Sequence, residues 1–329
     1  MKALVYTAPN EVTYRDEPEP SPAPGEVLIR IDAVGICGSD MHAYHGRDPR
    51  RVPPLILGHE LAGRIVAGPG AGRRVTVNPL ITCGDCDYCR QGRDNLCSRR
   101  TMIGMTRAGG FAELMTTAAT SVIDIAQDMG VREAALTEPA ATALHAIHLA
   151  ARAMTRPLPE CAVLILGGGA IGMLATLLLQ NHGVRRISVG ETNPLRRTAL
   201  ARATTAAVYD PAAASPGDNS ADLVIDAVGA AATRRTALAA VKPGGVVMHV
   251  GLADWTSDID MRKLTLAEVT LIGTYTYSTA DLRATAAALH AGAFGDLSWV
   301  EERPLAEGAA AFRDLHEGRS AAAKIVLRP

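Results

Sequence analysis

Cys161-Ala162-Val163-Leu164-Ile165-Leu166-Gly167-Gly168-Gly169-Ala170-Ile171-Gly172 decides how the second half of this chain folds. The apolar run from Cys161 to Leu166 suits a buried parallel strand. A glycine-rich turn follows, and Met173 to Asn181 reads as a helix. The glycines have separate duties in this order. Gly167 permits the tight turn, Gly169 lets the backbone approach a pyrophosphate, and Gly172 lets helix and strand pack closely. Amides at the helix start, Ala170 and Ile171 among them, then face the phosphates. A glycine pattern alone says little. Its place between strand and helix predicts a dinucleotide site. Cys161 reads as a core residue.

The segments that follow extend the pattern. Arg186-Ile187-Ser188-Val189-Gly190 reads as the next strand, with Glu191 at its end, 19 positions after Gly172. A carboxylate there meets the adenosine ribose hydroxyls and repels a 2′-phosphate, so NAD is expected over NADP. Arg196 and Arg197 lie close behind. They either stack on adenine, pair with phosphate, or form a solvated helix face. Further strands are expected at Asp222–Asp226, Val246–Val250 and Thr270–Gly273, each ending in a polar or glycine-rich turn. Val228, Val250, Gly251, Gly273 and Thr274 are expected along the cofactor toward its nicotinamide end. The repetition describes an α/β unit with a doubly wound parallel sheet.

Residues 1 to about 120 read differently, as short β-strands with turns. Glu26–Ile31, Glu60–Val66 and Arg74–Val77 are strand candidates, and no helical period is sustained. A small β-rich, barrel-like domain is expected. Within it, Ile36-Cys37-Gly38-Ser39-Asp40-Met41-His42 and Leu57-Gly58-His59-Glu60 offer one thiol, one imidazole and one carboxylate. A borderline metal such as zinc takes this mixed set, and three protein ligands leave a position open for a substrate oxygen. The plainer alternative is a buried free cysteine beside a surface histidine.

Cys83, Cys86, Cys89 and Cys97 have two, two and seven residues between them. Such spacings let four thiolates converge on one point and close a tetrahedron, so a structural zinc lobe over 83–97 is expected. Two disulfides or an iron–sulfur cluster are the rival readings. Loss of this zinc is expected to unfold the lobe without directly touching the chemistry. Ala134 to Pro139 leads into an alanine-rich helix, Ala140 to Ala153. His145 and His148 share one of its faces, as a metal pair or as satisfied helix histidines. Glu138, immediately before Pro139, is expected at the helix entrance with its carboxylate in a cleft. The tail holds helices near Ala280–Ala291 and Ala309–Leu315 and a terminal strand, Lys324–Leu327. It is expected to return and complete the first domain.

Composition sets the outer limits. A chain of 329 residues is long enough for two cores. A net charge of -1 without a basic run argues against nucleic acid or an anionic membrane as partner. No apolar run reaches membrane-spanning length, and Met1–Tyr6 reads as a strand rather than a secretory signal. Six cysteines, four of them clustered, favour metal over disulfides in a reducing cytoplasm.

Taken end to end, the chain resembles the zinc-dependent medium-chain alcohol and polyol dehydrogenases. The resemblance rests on Gly35-Ile36-Cys37-Gly38-Ser39-Asp40, Gly58-His59-Glu60, the four-cysteine lobe, Glu138-Pro139 and the glycine loop, all in the family's order. It implies a GroES-like catalytic domain, 1–140 and 279–329, around a Rossmann NAD-binding domain, 141–278. It also implies two zincs per chain, assembly as a homodimer or homotetramer, and a reversible oxidation of a secondary alcohol to a ketone. Glu60 together with Glu138 makes the chain most similar to the sorbitol, threonine and galactitol-phosphate types. On this resemblance catalytic zinc is held by Cys37, His59 and a carboxylate from Glu60 or Glu138. Ser39 passes the proton on to His42, and Asp40 supports His59. Two other classes compete. A quinone or enone reductase of the same fold generally lacks zinc, against Cys37, His59 and the cysteine lobe. A nucleotide-sensing zinc-ribbon protein would not need two sites of different chemistry. The substrate is expected to be an uncharged polyol. A phosphorylated one such as galactitol 1-phosphate is the alternative if Arg47-Asp48-Pro49-Arg50-Arg51 borders the cleft.

Overall fold

The computed structural model describes all 329 residues. A six-stranded parallel sheet forms from Ala207–Tyr209, Arg186–Gly190, Ala162–Leu166, Ala221–Asp226, Val241–His249 and Thr270–Gly273, in that spatial order. Ala162–Leu166 and Ala221–Asp226 are buried almost throughout, as inner strands covered on both faces must be. The strand order reverses beside Ala162–Leu166, where open parallel sheets place their ligands. Gly167, at φ +98°, makes the turn there, and a Cβ on Gly172 would sit 1.9 Å from the Gly167 carbonyl oxygen. Only glycine allows that approach of helix to strand.

The β-rich part, with a three-stranded and a two-stranded sheet beside it, is built on a seven-stranded sheet. Its main path runs Val122–Asp124, Arg74–Val77, Glu60–Ala67, Glu26–Gly35, Lys324–Arg328 and Val300–Pro304, with Leu114–Ala118 also on Glu26–Gly35. The tail strand Lys324–Arg328 pairs antiparallel with Val34 and Gly35. It therefore comes from the far end of the chain to lie beside the Cys37 segment.

One helix joins the two sheets. Val131–Ala153 is continuous over 23 residues. Its alanines pack in one cluster with Ala33 and Ala62 from the β-rich sheet and with Ile165 and Met248 from the parallel sheet. Small side chains let both sheets approach it closely, which suits a chain so poor in aromatics. This continuity corrects the expectation for Glu138. The helix begins at Val131, so Glu138 and Pro139 lie inside it rather than at its entrance. Proline costs the interior one backbone hydrogen bond. Here burial on two sides outweighs that loss, and Glu138 is carried inward on a fixed face. His145 and His148 also find a protein partner: each Nδ1 meets an oxygen of Asp281, at 2.7 and 2.9 Å. They form no metal pair.

Candidate active site and metal centres

Cys37 follows the strand Glu26–Gly35 and caps the short helix Gly38–Tyr44, which the β-rich reading of this region did not anticipate. The Cys37 amide donates to Asp40 Oδ2 at 3.0 Å, and Ser39 N–H points at Cys37 Sγ at 3.5 Å. This reciprocal cap fixes the thiol's direction. His59 arrives through Gly58, at φ +90°, where a Cβ would strike the Phe111 ring at 2.7 Å. Glu60 then opens the strand Glu60–Ala67 opposite Gly35. A Cβ on Gly35 would lie 2.3 Å from Glu60 Oε2, so that glycine makes room for the carboxylate. The ligand atoms of Cys37, His59 and Glu60 lie within 4.8 Å of one another.

The surroundings suit a cation. His59 Nδ1 and Asp40 Oδ1 face each other at 3.5 Å, too far for a good hydrogen bond, and both are buried without a partner. Burial opposes charging His59, yet the Asp40 carboxylate and Cys37 outweigh it and hold the imidazole well above its ordinary range. The pocket therefore attracts positive charge, and a sulfur, nitrogen and oxygen donor set is what zinc takes. Sequence reasoning missed Lys324. Its buried Nζ donates to both Glu60 oxygens, at 2.7 and 2.6 Å, and to the Ile36 carbonyl at 2.8 Å. The available signal was weak: one of four lysines in an arginine-rich chain, opening an apolar terminal strand.

Glu138 stands next to this set, buried, with Oε1 accepting from the Tyr277 hydroxyl at 2.7 Å. Burial pushes its carboxyl up to about 7, Glu60 adding to the effect against His59, Tyr277 and Lys324. In the metal-free protein the folded form then holds this proton more tightly than the unfolded chain. The resulting stability is complete below the ordinary carboxyl range and is lost as pH rises through about 7. Thermal melts between about pH 5 and pH 8, of protein whose catalytic site is free of metal while the cysteine lobe stays loaded, should show that decline, and Glu138→Gln should flatten it. Equal slopes in both proteins would mean that Glu138 does not hold the proton.

Ser39 and His42 are not joined by a hydrogen bond, contrary to the expected relay. Arg51 intervenes. Its guanidinium is buried and donates to Ser39 Oγ and the Ser39 carbonyl, both at 3.1 Å, to the Gly104 carbonyl at 3.1 Å, and to Asp48 Oδ2 at 2.7 Å. Arg50 is forked onto the same Asp48 carboxylate, at 2.8 and 3.0 Å. Arg51 is therefore an internal strut rather than a phosphate-binding surface residue. An aspartate three residues earlier was the clue. His42 is half-buried, and burial together with Arg47 and Arg51 holds its imidazole below the ordinary range.

Cys83, Cys86, Cys89 and Cys97 converge within 4.8 Å. Their recorded Sγ separations run from 3.5 to 3.8 Å. That is far beyond a disulfide bond of about 2.05 Å, and all four are free thiols. Four converging thiols leave no open position and fit a structural zinc.

On the parallel sheet, a cavity of about 830 Å³ is lined by Gly167, Gly169, Glu191, Arg196 and Val228. Glu191 is held at its edge by the amides of Gly168 and Asn193, at 2.8 and 2.7 Å. Arg197 is committed to Asp210 at 3.0 Å, whereas Arg196 Nε has no protein partner. Val250 and Gly251 sit where the inner strand Ala221–Asp226 ends, their amides donating to the Asp226 carbonyl. Thr274 N–H donates to the His249 carbonyl. Gly273 ends the edge strand Thr270–Gly273 opposite His249 and lines a second cavity with Asp226, Arg234, His249 and Trp255.

A mixed-donor metal set and a glycine-loop crevice in one chain define a metal- and dinucleotide-dependent oxidoreductase. Residues 23–127 match the family model described as the alcohol dehydrogenase GroES-like domain, and residues 170–291 the one described as zinc-binding dehydrogenase. L-galactonate-5-dehydrogenase of Escherichia coli (strain K12) is 34% identical over 77% of this chain and 76% of its own length. Sorbitol dehydrogenase of Bacillus subtilis (strain 168) is 33% identical over 77% and 75%. The crystal structure of galactitol-1-phosphate dehydrogenase from Escherichia coli superposes with a TM-score of 0.88 at 25% identity, covering 100% of both chains. The chain belongs to the zinc-type medium-chain alcohol dehydrogenase family, with a GroES-like and a Rossmann-like part. It is an enzyme of the zinc- and nicotinamide dinucleotide-dependent class that acts on CH–OH groups. No helix is long and apolar enough to cross a membrane.

Proposed function

We propose that this protein oxidises a secondary hydroxyl of an open-chain polyol to a ketone, reversibly and with NAD. One observation carries the reading. A single cleft of about 300 Å³ is lined both by Cys37, Glu60 and Lys324 and by Gly169, Ala170, Ile171 and Gly172 of the glycine loop. The metal donors and the dinucleotide loop thus open onto the same space. We place the cleft between a catalytic part, residues 1–140 and 279–329, and a dinucleotide part, residues 141–278.

Cys37, His59 and Glu60 would hold the zinc, with Glu138 beside them. When bound, zinc supplies the Lewis acidity that makes the hydroxyl acidic near neutral pH, and NAD supplies the hydride acceptor. Lys324 offsets the charge of Glu60, and Asp40 orients His59. Ser39 Oγ, with one lone pair taken by Arg51, keeps its hydroxyl proton and its other lone pair for exchange with the substrate. The substrate class follows the relatives named for L-galactonate and sorbitol. The arginine loop lends the phosphate alternative less support than its charge suggests, because Arg51 is turned inward and Arg50 is forked onto Asp48.

Glu191 supports NAD over NADP, as its carboxylate borders the cavity where a 2′-phosphate would lie. Glu191→Ala should lower kcat/KM with NAD by roughly tenfold and narrow the NAD to NADP ratio, measured as paired kcat/KM values. A wild-type preference for NADP would give the decisive role to Arg196. Assembly as a dimer is supported by the edge strand Thr270–Gly273. Leu252, Trp255, Ile259, Met261, Leu266 and Leu271 are all exposed on or near it. Asp254, Asp258 and Asp260 lie close to Arg262 and Lys263, so a two-fold copy could match charge as well as apolar area. Sedimentation as a monomer at micromolar concentration would contradict this.

A further inference from the structure

We propose that Tyr277 is a positioning residue of the active centre, and that the four-cysteine lobe holds it in place. The inference rests on the reading of Cys37, His59 and Glu60 as metal donors, with Glu138 beside them. Tyr277 is fully buried, and its hydroxyl donates to Glu138 Oε1 at 2.7 Å. Its ring packs against Ile123, Ala141 and Leu282. With Oε1 fixed, the other oxygen of Glu138 makes no hydrogen bond to protein. It is the one carboxylate oxygen of the pair Glu60 and Glu138 without a hydrogen bond, since Lys324 donates to both Glu60 oxygens and leaves each a further lone pair. A rotation of Glu138 about its side chain would move that oxygen relative to His59 and Glu60, and the Tyr277 hydroxyl opposes the rotation.

Tyr277 lies in the short segment between the strand Thr270–Gly273 and the helix Thr279–His290. That segment is tied on both sides of Tyr277 to the cysteine lobe. Before it, Asn95 Nδ2 donates to the Tyr275 carbonyl at 2.8 Å, and the Arg100 guanidinium sits 4.8 Å over the Tyr275 ring. After it, Thr279 N–H donates to Asp94 Oδ1 at 3.1 Å, and Thr279 Oγ1 bonds to the other Asp94 oxygen. Asp94 and Asn95 belong to the turn Asp94–Leu96, which ends at Cys97, and Cys97 N–H donates to the Asp94 carbonyl at 3.0 Å. A continuous chain of contacts therefore runs from Cys97 through Asp94 and Asn95 to Tyr275 and Thr279, and from Tyr277 to Glu138. The closed cysteine site acts on the open metal site through this chain. The lobe thus reaches the chemistry indirectly, although it does not touch it directly.

The test uses the zinc-loaded full chain and Tyr277→Phe, which keeps the ring and removes the hydroxyl. Two readouts do not depend on turnover. One is retention of the catalytic metal in competition with a chelator. The other is the visible spectrum after cobalt replaces zinc at that site. Tyr277→Phe should weaken retention by roughly ten- to a hundredfold, shift the cobalt bands, and lower kcat more than it changes KM. The zinc in the cysteine lobe should stay bound. Asn95→Ala, outside the metal site, should shift the same cobalt bands in the same direction by less. If Tyr277→Phe does not fold, Asn95→Ala decides by the same two readouts. Unchanged retention and an unchanged spectrum would overturn the proposal. The underlying reading fails separately: it falls if Cys37→Ser keeps both metals.

Discussion

Cys37→Ser should lower kcat/KM by about a thousandfold or more while leaving the fold intact. The magnitude follows from the several kcal/mol of Lewis-acid stabilisation that zinc supplies, at about 1.4 kcal/mol per factor of ten. Serine keeps the size of the side chain but replaces a thiolate donor with a hydroxyl that does not ionise near neutral pH. Cys37 is half-buried on the cleft wall and caps a seven-residue helix. Serine caps helices at least as well, so little stability should be lost. Zinc analysis should find one metal fewer per chain, with the cysteine lobe still loaded. Wild-type turnover in this variant would remove Cys37 from the site.

Cys97→Ser should act mainly on stability. Cys97 is fully buried, and its thiol closes the set begun by Cys83, Cys86 and Cys89. Structural zinc contributes apparent binding free energies of about 10–16 kcal/mol in small zinc domains. The lobe has few apolar contacts of its own to replace them: the helix Asp87–Arg90 buries no residue. Losing even a few kcal/mol should lower the thermal midpoint by roughly 10 °C or bring the protein out of solution. Activity should fall with it, because Asp94 and Asn95 hold the segment that carries Tyr277. Calorimetry with zinc analysis checks this. An unchanged midpoint with both zincs retained would contradict it.

The parts legible in the sequence are those whose chemistry is local. The glycine loop, Glu191 and the four cysteines are specified by short stretches of sequence whose place beside a strand, a helix or one another narrows their reading. Cys37, His59 and Glu60 were legible because their ligand types are rare together. What escaped depends on partners far apart in the chain. Lys324 meets Glu60 across 264 positions, and Tyr277 meets Glu138 across 139. No local pattern announces such pairs. The loop that holds Arg51 reads as a candidate border for a substrate phosphate, whereas its guanidinium turns inward to four oxygens. Pro139 misled in another way. Its local rule places it at the first turn of a helix, but Val131–Ala153, packed between two sheets, carries it in the interior.

The central claim is that the metal donors and the dinucleotide loop act together on a secondary alcohol in one cleft. The measurement is turnover by the zinc-loaded chain with NAD over a panel of open-chain polyols, sugar acids and polyol phosphates, with each product identified by mass spectrometry and NMR. The account predicts NADH formation matched one to one by a ketone from an unphosphorylated polyol or sugar acid, and its loss in Cys37→Ser. An aldehyde as the main product, NADH formation that survives in Cys37→Ser, or no turnover of any alcohol would contradict it.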